Sequence, residues 1–192
     1  MSTDSITNLL LLFLLLGAVV VYLSATAGRL DRVHQRIETA DAALDAQLLR
    51  RAALSTDLAD SGLLDPATSL VLGDAARRAA TVDPADEASR SAAESGLTRV
   101  LGEVFATDED TADVLGERDG DPPDPDATEL LTELAAACRR VELARRFHND
   151  AVASARELRR RRLVRWFRLA GRTPWPQTVE LADTPPPGLA GR

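Results

Sequence analysis

Two histidines, one cysteine and a large set of carboxylates are the residues here that could ligate a metal or attack a substrate. A metal site inside a helical protein needs Glu-x-x-His pairs on one helix face, with further carboxylates pointing inward. Neither His34 nor His148 has a Glu three residues before it, and Glu142 precedes His148 by the wrong interval. His148 therefore reads as a surface or bundle-edge residue. Cys138 would need a base and an accessible, electropositive niche to act as a nucleophile. Arg139 and Arg140 come directly after it, but adjacent residues on a helix do not face each other. Cys138 also falls on an apolar stripe, where a free thiol behaves as a small hydrophobe. The acidic stretch 107–127 carries Asp108, Glu109, Asp110, Asp113, Glu117, Asp119, Asp121, Asp124 and Asp126. Its spacing does not match a calcium loop, which wants Gly at its sixth position and Glu at its twelfth. Phosphate-binding loops, zinc spacings and a Ser/His/Asp order are also missing. The sequence predicts no catalytic residue, no cofactor and no metal, and so a protein that is not an enzyme.

Two polar groupings remain. Asp45, Gln47, Arg50 and Arg51 lie on one long helical stretch, and Arg145 and Asn149 on another. They form either an interhelical network that sets register or a patch for a protein partner of unknown identity. Ion pairs between helices are common, which favours the first. The other grouping is basic and aromatic: Arg159, Arg160, Arg161, Arg162, Arg165, Trp166, Phe167, Arg168 and Trp175. Arg at a helix C-terminus complements the helix dipole, but four in succession exceed that need. Arg and Trp suit an anionic lipid surface, where each Arg contributes roughly 1 kcal/mol. A nucleic-acid-binding segment over residues 156–172 is the alternative; a nearby membrane anchor favours lipid.

That anchor is residues 6–27, which hold no charge and include a nearly pure Leu/Phe run at 9–16. An uncharged apolar stretch of this length reads as a membrane-spanning helix, and without water its backbone must satisfy itself by being helical. A cleaved signal peptide is the rival reading, since Ala25-Thr26-Ala27 resembles a cleavage site. No basic residue precedes the run, however, and the run is longer than a signal core. Arg29, Arg32 and Arg36 come after it, so the positive-inside rule puts the N-terminus outside and the body in the cytoplasm.

The predicted organisation is an external tail at 1–5, an anchor at 6–28 and a helical body at 29–169. Apolar residues at helical spacing mark helices at about 29–61, 66–81, 84–106 and 128–169. Asp65-Pro66 and Asp83-Pro84 read as helix starts and Ser61-Gly62 as a stop. Leu70, Val71, Ala75 and Ala79 are expected on the inner face of the second helix. The acidic, proline-bearing stretch 107–127 is expected to be a disordered loop with at most one helical turn, and 170–192 a disordered tail. Aromatics are only 4% of the 192 residues, so the core must be Ala, Leu and Val, which favours helices. The net charge of −7 is uneven, acidic in the middle and basic over 145–172, and a single cysteine excludes an intrachain disulfide. The fold class is all-α: an N-terminal transmembrane helix continuing into an antiparallel four-helix bundle.

Leu44-Asp45-Ala46-Gln47-Leu48-Leu49-Arg50-Arg51 resembles the Ile-Asp-x-Gln-Leu-x-Arg-Arg motif of the LemA family of bacterial membrane-anchored helical proteins. Ala144-Arg145-Arg146-Phe147-His148-Asn149-Asp150-Ala151-Val152 resembles that family's Ala-Arg-x-x-Tyr-Asn-x-x-Val, and Val179-Glu180 echoes its terminal Phe-Glu. His148 stands where the family has Tyr, residues 53–58 lack the family's Pro, and an Arg run replaces its Phe-Pro. The resemblance implies a divergent relative: a helical bundle on one anchor in the bacterial inner membrane, acting as an adaptor or scaffold without a catalytic site.

Overall fold

A computed structural model describes residues 3–117, 122–160 and 175–191. Among these the chain is helical, without strands, in the order α1 (Thr3–Asp60), α2 (Pro66–Thr81), α3 (Glu87–Val104), α4 (Asp108–Val114), α5 (Pro125–Arg160) and a short 3-10 turn (Pro187–Leu189). Residues group into two compact units, Met1–Thr39 with Asp150–Gln177, and Ala40–Asn149 with Thr178–Arg192.

In the second unit α1 ends where Gly62 takes a φ of 78°, a left-handed conformation that costs Gly nothing. Asp65 caps α2, its carboxylate accepting from the backbone N–H groups of Ala67 and Thr68, with Pro66 at the first helical position. The second Asp-Pro behaves differently. Asp83 closes a turn, accepting from Asp86 N, and Asp86 is the cap that opens α3 at Glu87. The predicted start at 84 is thus corrected by one turn. The core joins Leu58 of α1, Leu72 and Ala76 of α2, Leu97 and Leu101 of α3, and Leu131, Leu134 and Cys138 of α5. Phe105 is its one buried aromatic among the described residues. The inner face of α2 is Leu72, Gly73, Ala76 and Ala79; Leu70 and Val71 point to solvent, against expectation. The buried stripe of α2 is set by Leu72, one residue out of phase with the predicted one.

Two stretches expected to be disordered carry structure. Thr107 and Asp110 form a reciprocal capping box that starts α4 inside the acidic stretch, and Thr111 and Leu115 are buried. Each cap satisfies an N–H that no intrahelical carbonyl reaches. Residues 178–190 form a strap whose Val179, Asp183, Gly188 and Leu189 are buried. Outside the 3-10 turn it has no helix or strand, and side chains of other elements take its backbone groups. The last predicted residues of the fourth helix, 161–169, lie outside the described residues.

In the first unit α1 stays helical through Gly28 without a break. Its most apolar window of 18 residues has a mean hydropathy of 2.6, enough in length and composition to cross a membrane; a signal sequence would meet the same criteria. Residues 9–16 are all exposed, Leu14 by 75%. Past this stretch Thr26 and Leu30 are buried, as are Ala151, Val152 and Ala155 of α5.

Candidate functional site

The α1 polar set is drawn into the second unit mainly by α3. Arg51 is fully buried, although its neighbour Arg50 is exposed. Its guanidinium donates to Glu94 Oε2 at 2.7 Å, to the Glu94 carbonyl at 3.3 Å and to Thr98 Oγ1 at 2.9 Å. One helical turn earlier on α3, Arg90 pairs with Asp45. Glu94 is buried with Arg51, and burial pushes its carboxyl up while the Arg51 charge pulls it down. Desolvating two charges together offsets much of their attraction, so a buried pair of this kind adds little net stability over an apolar pair. Arg50 pairs with Glu133 of α5 at the surface, where such a pair contributes little. Gln47 Oε1 is buried with no hydrogen-bond partner among the described residues.

The α5 residues take a different partner. Arg145 grips Asp183 of the strap in a bidentate pair, at 2.6 and 3.1 Å. This pair raises the Arg145 pKa, mainly through the hydrogen bond to Asp183. Asn149 behaves like a length of backbone: its Nδ2 donates to Val179 O at 3.1 Å, and its Oδ1 accepts from Val179 N at 2.9 Å. From α3, Ser95 Oγ accepts from Ala182 N at 3.0 Å, Thr98 donates to Ala182 O at 2.8 Å, and Ser91 donates to Glu180 O. The far end is pinned where Gly188 N donates to Phe105 O and Thr111 donates to Gly188 O. A Cβ on Gly188 would overlap the Thr107 carbonyl oxygen, so only glycine fits.

The expected set on the two long helices divides into two networks, beside the surface pair of Arg50 with Glu133 of α5. Asp45 and Arg51 reach α3; Arg145 and Asn149 hold the strap. Thr98 touches both. Glu94, Thr98, Arg90 and Asp183 are members that the sequence does not single out. Arg90 and Glu94 sit four residues apart on α3, a spacing that puts both on one face, and this is the one signal that could have found them. His148 is buried rather than at an edge, its Nδ1 3.8 Å from Asp41. Cys138 is buried in the apolar core, and burial raises its thiol pKa. A thiol so placed is unreactive. No group of three metal-ligating side chains gathers among the described residues.

Of the predicted lipid contacts, Arg159, Arg160 and Trp175 are described; Arg161, Arg162, Arg165, Trp166, Phe167 and Arg168 lie outside the described residues. Arg159 does not face outward. It is buried in the first unit, 2.6 Å from His34 Nε2, with Trp175 stacked 5.9 Å from its guanidinium. Burial takes Arg159 away from the surface, and Trp175 lies within cation–π range of its guanidinium. Arg156 donates to Pro176 O at 2.9 Å. Arg160 is exposed, and Trp175 is 47% exposed. On α1 of the same unit Arg29, Arg32 and Arg36 are also exposed. Arg29 and Arg32 line a groove of about 300 Å³ with Val33, Ser154, Glu157 and Leu158.

Comparison with protein-family models, with characterised proteins and with solved structures finds no match to the chain.

Proposed function

We propose that this chain is a LemA-like, single-pass protein of the bacterial inner membrane, its N-terminus outside. Its antiparallel four-helix cytoplasmic body serves as an adaptor or scaffold for a protein partner. One observation carries the reading: large apolar side chains from Leu9 to Leu16 stand exposed all round one helix, with exposed Arg29, Arg32 and Arg36 beyond them. A helix apolar on every side finds its match in lipid or in a protein interior, and Arg just beyond it favours the cytoplasmic side. Burial of Thr26, the middle residue of the cleavage-like triplet, supports an anchor that is retained. The expected contact with anionic lipid over 159–175 keeps exposed Arg160 and Trp175, leaves out buried Arg159 and gains Arg29, Arg32 and Arg36.

Protease treatment of intact cells and of inverted membrane vesicles tests this. The body should be digested only in the vesicles. Digestion in intact cells, or recovery of the chain in the soluble fraction, would overturn the anchor and its orientation.

A further inference from the structure

The acidic stretch borders a groove that the adaptor reading leaves unused. Within the second unit, α2, α3 and α4 enclose about 600 Å³. Leu64, Val71, Val104 and Val114 supply an apolar floor, and the carboxylates of Asp65, Glu103, Asp110 and Asp113 line the same groove. Its described lining holds no basic side chain. Val71 is 55% exposed and the adjacent Leu70 70%, so two large apolar side chains stand in water beside this acidic rim. The volume lies in the range of pockets that enclose the apolar part of a ligand. An apolar groove edged by one sign of charge matches a helix with an apolar face and flanks of the opposite sign.

We propose that this groove docks a basic amphipathic helix of another protein. Apolar side chains spaced at i, i+3 or i+4, and i+7 lie on the floor, and Arg or Lys on the flanks meets the acidic rim. This names the class of partner for the adaptor reading and rests on it only in that the chain has a protein partner. Membrane orientation plays no part, so failure of the protease test leaves it standing.

The full chain in nanodiscs of zwitterionic lipid provides the test, with a labelled synthetic helix of Leu and Arg whose leucines share one face. A second peptide of the same composition has its leucines scattered around the helix. The first should bind about tenfold or more tightly than the second and should weaken as salt rises. Val71→Asp should weaken it by about tenfold, and the milder Val71→Ser by a smaller factor, with helicity and melting unchanged because the site is exposed. Val71→Asp adds negative charge, so mere attraction between opposite charges would tighten binding instead. Equal or tighter binding by Val71→Asp, equal binding of the two peptides, or equal binding to empty discs overturns the proposal. So does a Val71→Asp variant that loses self-association in sedimentation yet keeps the peptide, since the groove would then belong to a second copy.

Discussion

The two halves of α1 use the same residue in opposite ways. Leu9 to Leu16 are exposed, whereas Leu44, Leu48, Leu54 and Leu58 are buried to within 3%. Leucine content alone does not separate them, since both are rich in Leu. Spacing does. In the second half polar residues occupy the positions between leucines and leave one stripe for a protein core. In the first half nothing polar interrupts, so no stripe exists for a core to select. The same helix propensity serves both, and the pattern of polar residues decides what each half faces.

The comparison breaks hardest at Arg51, a buried charge in the second half with no counterpart in the first. Glu94→Leu should destabilise the second unit by about 3–5 kcal/mol, because it leaves Arg51 buried without its counter-ion. Arg51→Met with Glu94→Leu, Thr98 being kept for its bond to the strap, should recover most of that loss in denaturant unfolding. Recovery to less than half would mean that the pair adds stability after all.

Truncation of leucine sharpens the contrast. Leu58→Ala should cost about 2–5 kcal/mol through the cavity it leaves. Leu12→Ala should leave the melting of the body unchanged, while Leu12→Arg should oppose membrane insertion by about 2.5–3.5 kcal/mol. Thermal melting in detergent and carbonate extraction read the two effects. Equal melting losses at Leu12 and Leu58 would contradict the division.

Asn149→Ala should cost about 1–3 kcal/mol, the loss of two hydrogen bonds to Val179. Hydrogen exchange of the strap amides should accelerate more than exchange in α2.

Acid pH sorts the smallest effects. The Glu94 carboxyl is raised in the folded state, so it holds its proton where the unfolded chain has released it. Its influence lowers stability as pH rises from the ordinary glutamate range through the raised value. The exposed caps run the other way. Asp65 and Asp86 are lowered, first by the side chains of Thr68 and Ser89. Their support is present above the ordinary aspartate range and is lost as pH falls through the lowered values. Urea midpoints across a pH series should lose the first trend in Glu94→Gln and the second in Asp65→Asn with Asp86→Asn.

Local signals in the sequence are legible where one residue's chemistry decides the outcome. Gly62 ends α1, and Asp65-Pro66 opens α2, because each acts on its own neighbours. Long-range choices are not readable in this way. Asp45 and Arg51 are recognisable as interhelical polar residues, but their partners on α3 depend on how helices distant in sequence pack. The strap escapes a sequence reading for the same reason. Pro185, Pro186 and Pro187 exclude an α-helix interior or a central strand, and a segment without either reads as disordered. Its order comes from Ser91, Ser95, Thr98, Thr111 and Asn149, hydroxyls and an amide on other elements that stand in for a neighbouring strand.

That strap has a practical consequence for anyone shortening the chain. Cutting after Gln177 looks harmless, because the closing segment is rich in proline and ends in small residues. Such a fragment would lose Leu189 from the main apolar cluster and Val179 from its smaller neighbour. It would also strand the Arg145 guanidinium and turn the amide of Asn149 toward nothing. A soluble version made by trimming should therefore remove residues from the front and leave the C-terminal end whole.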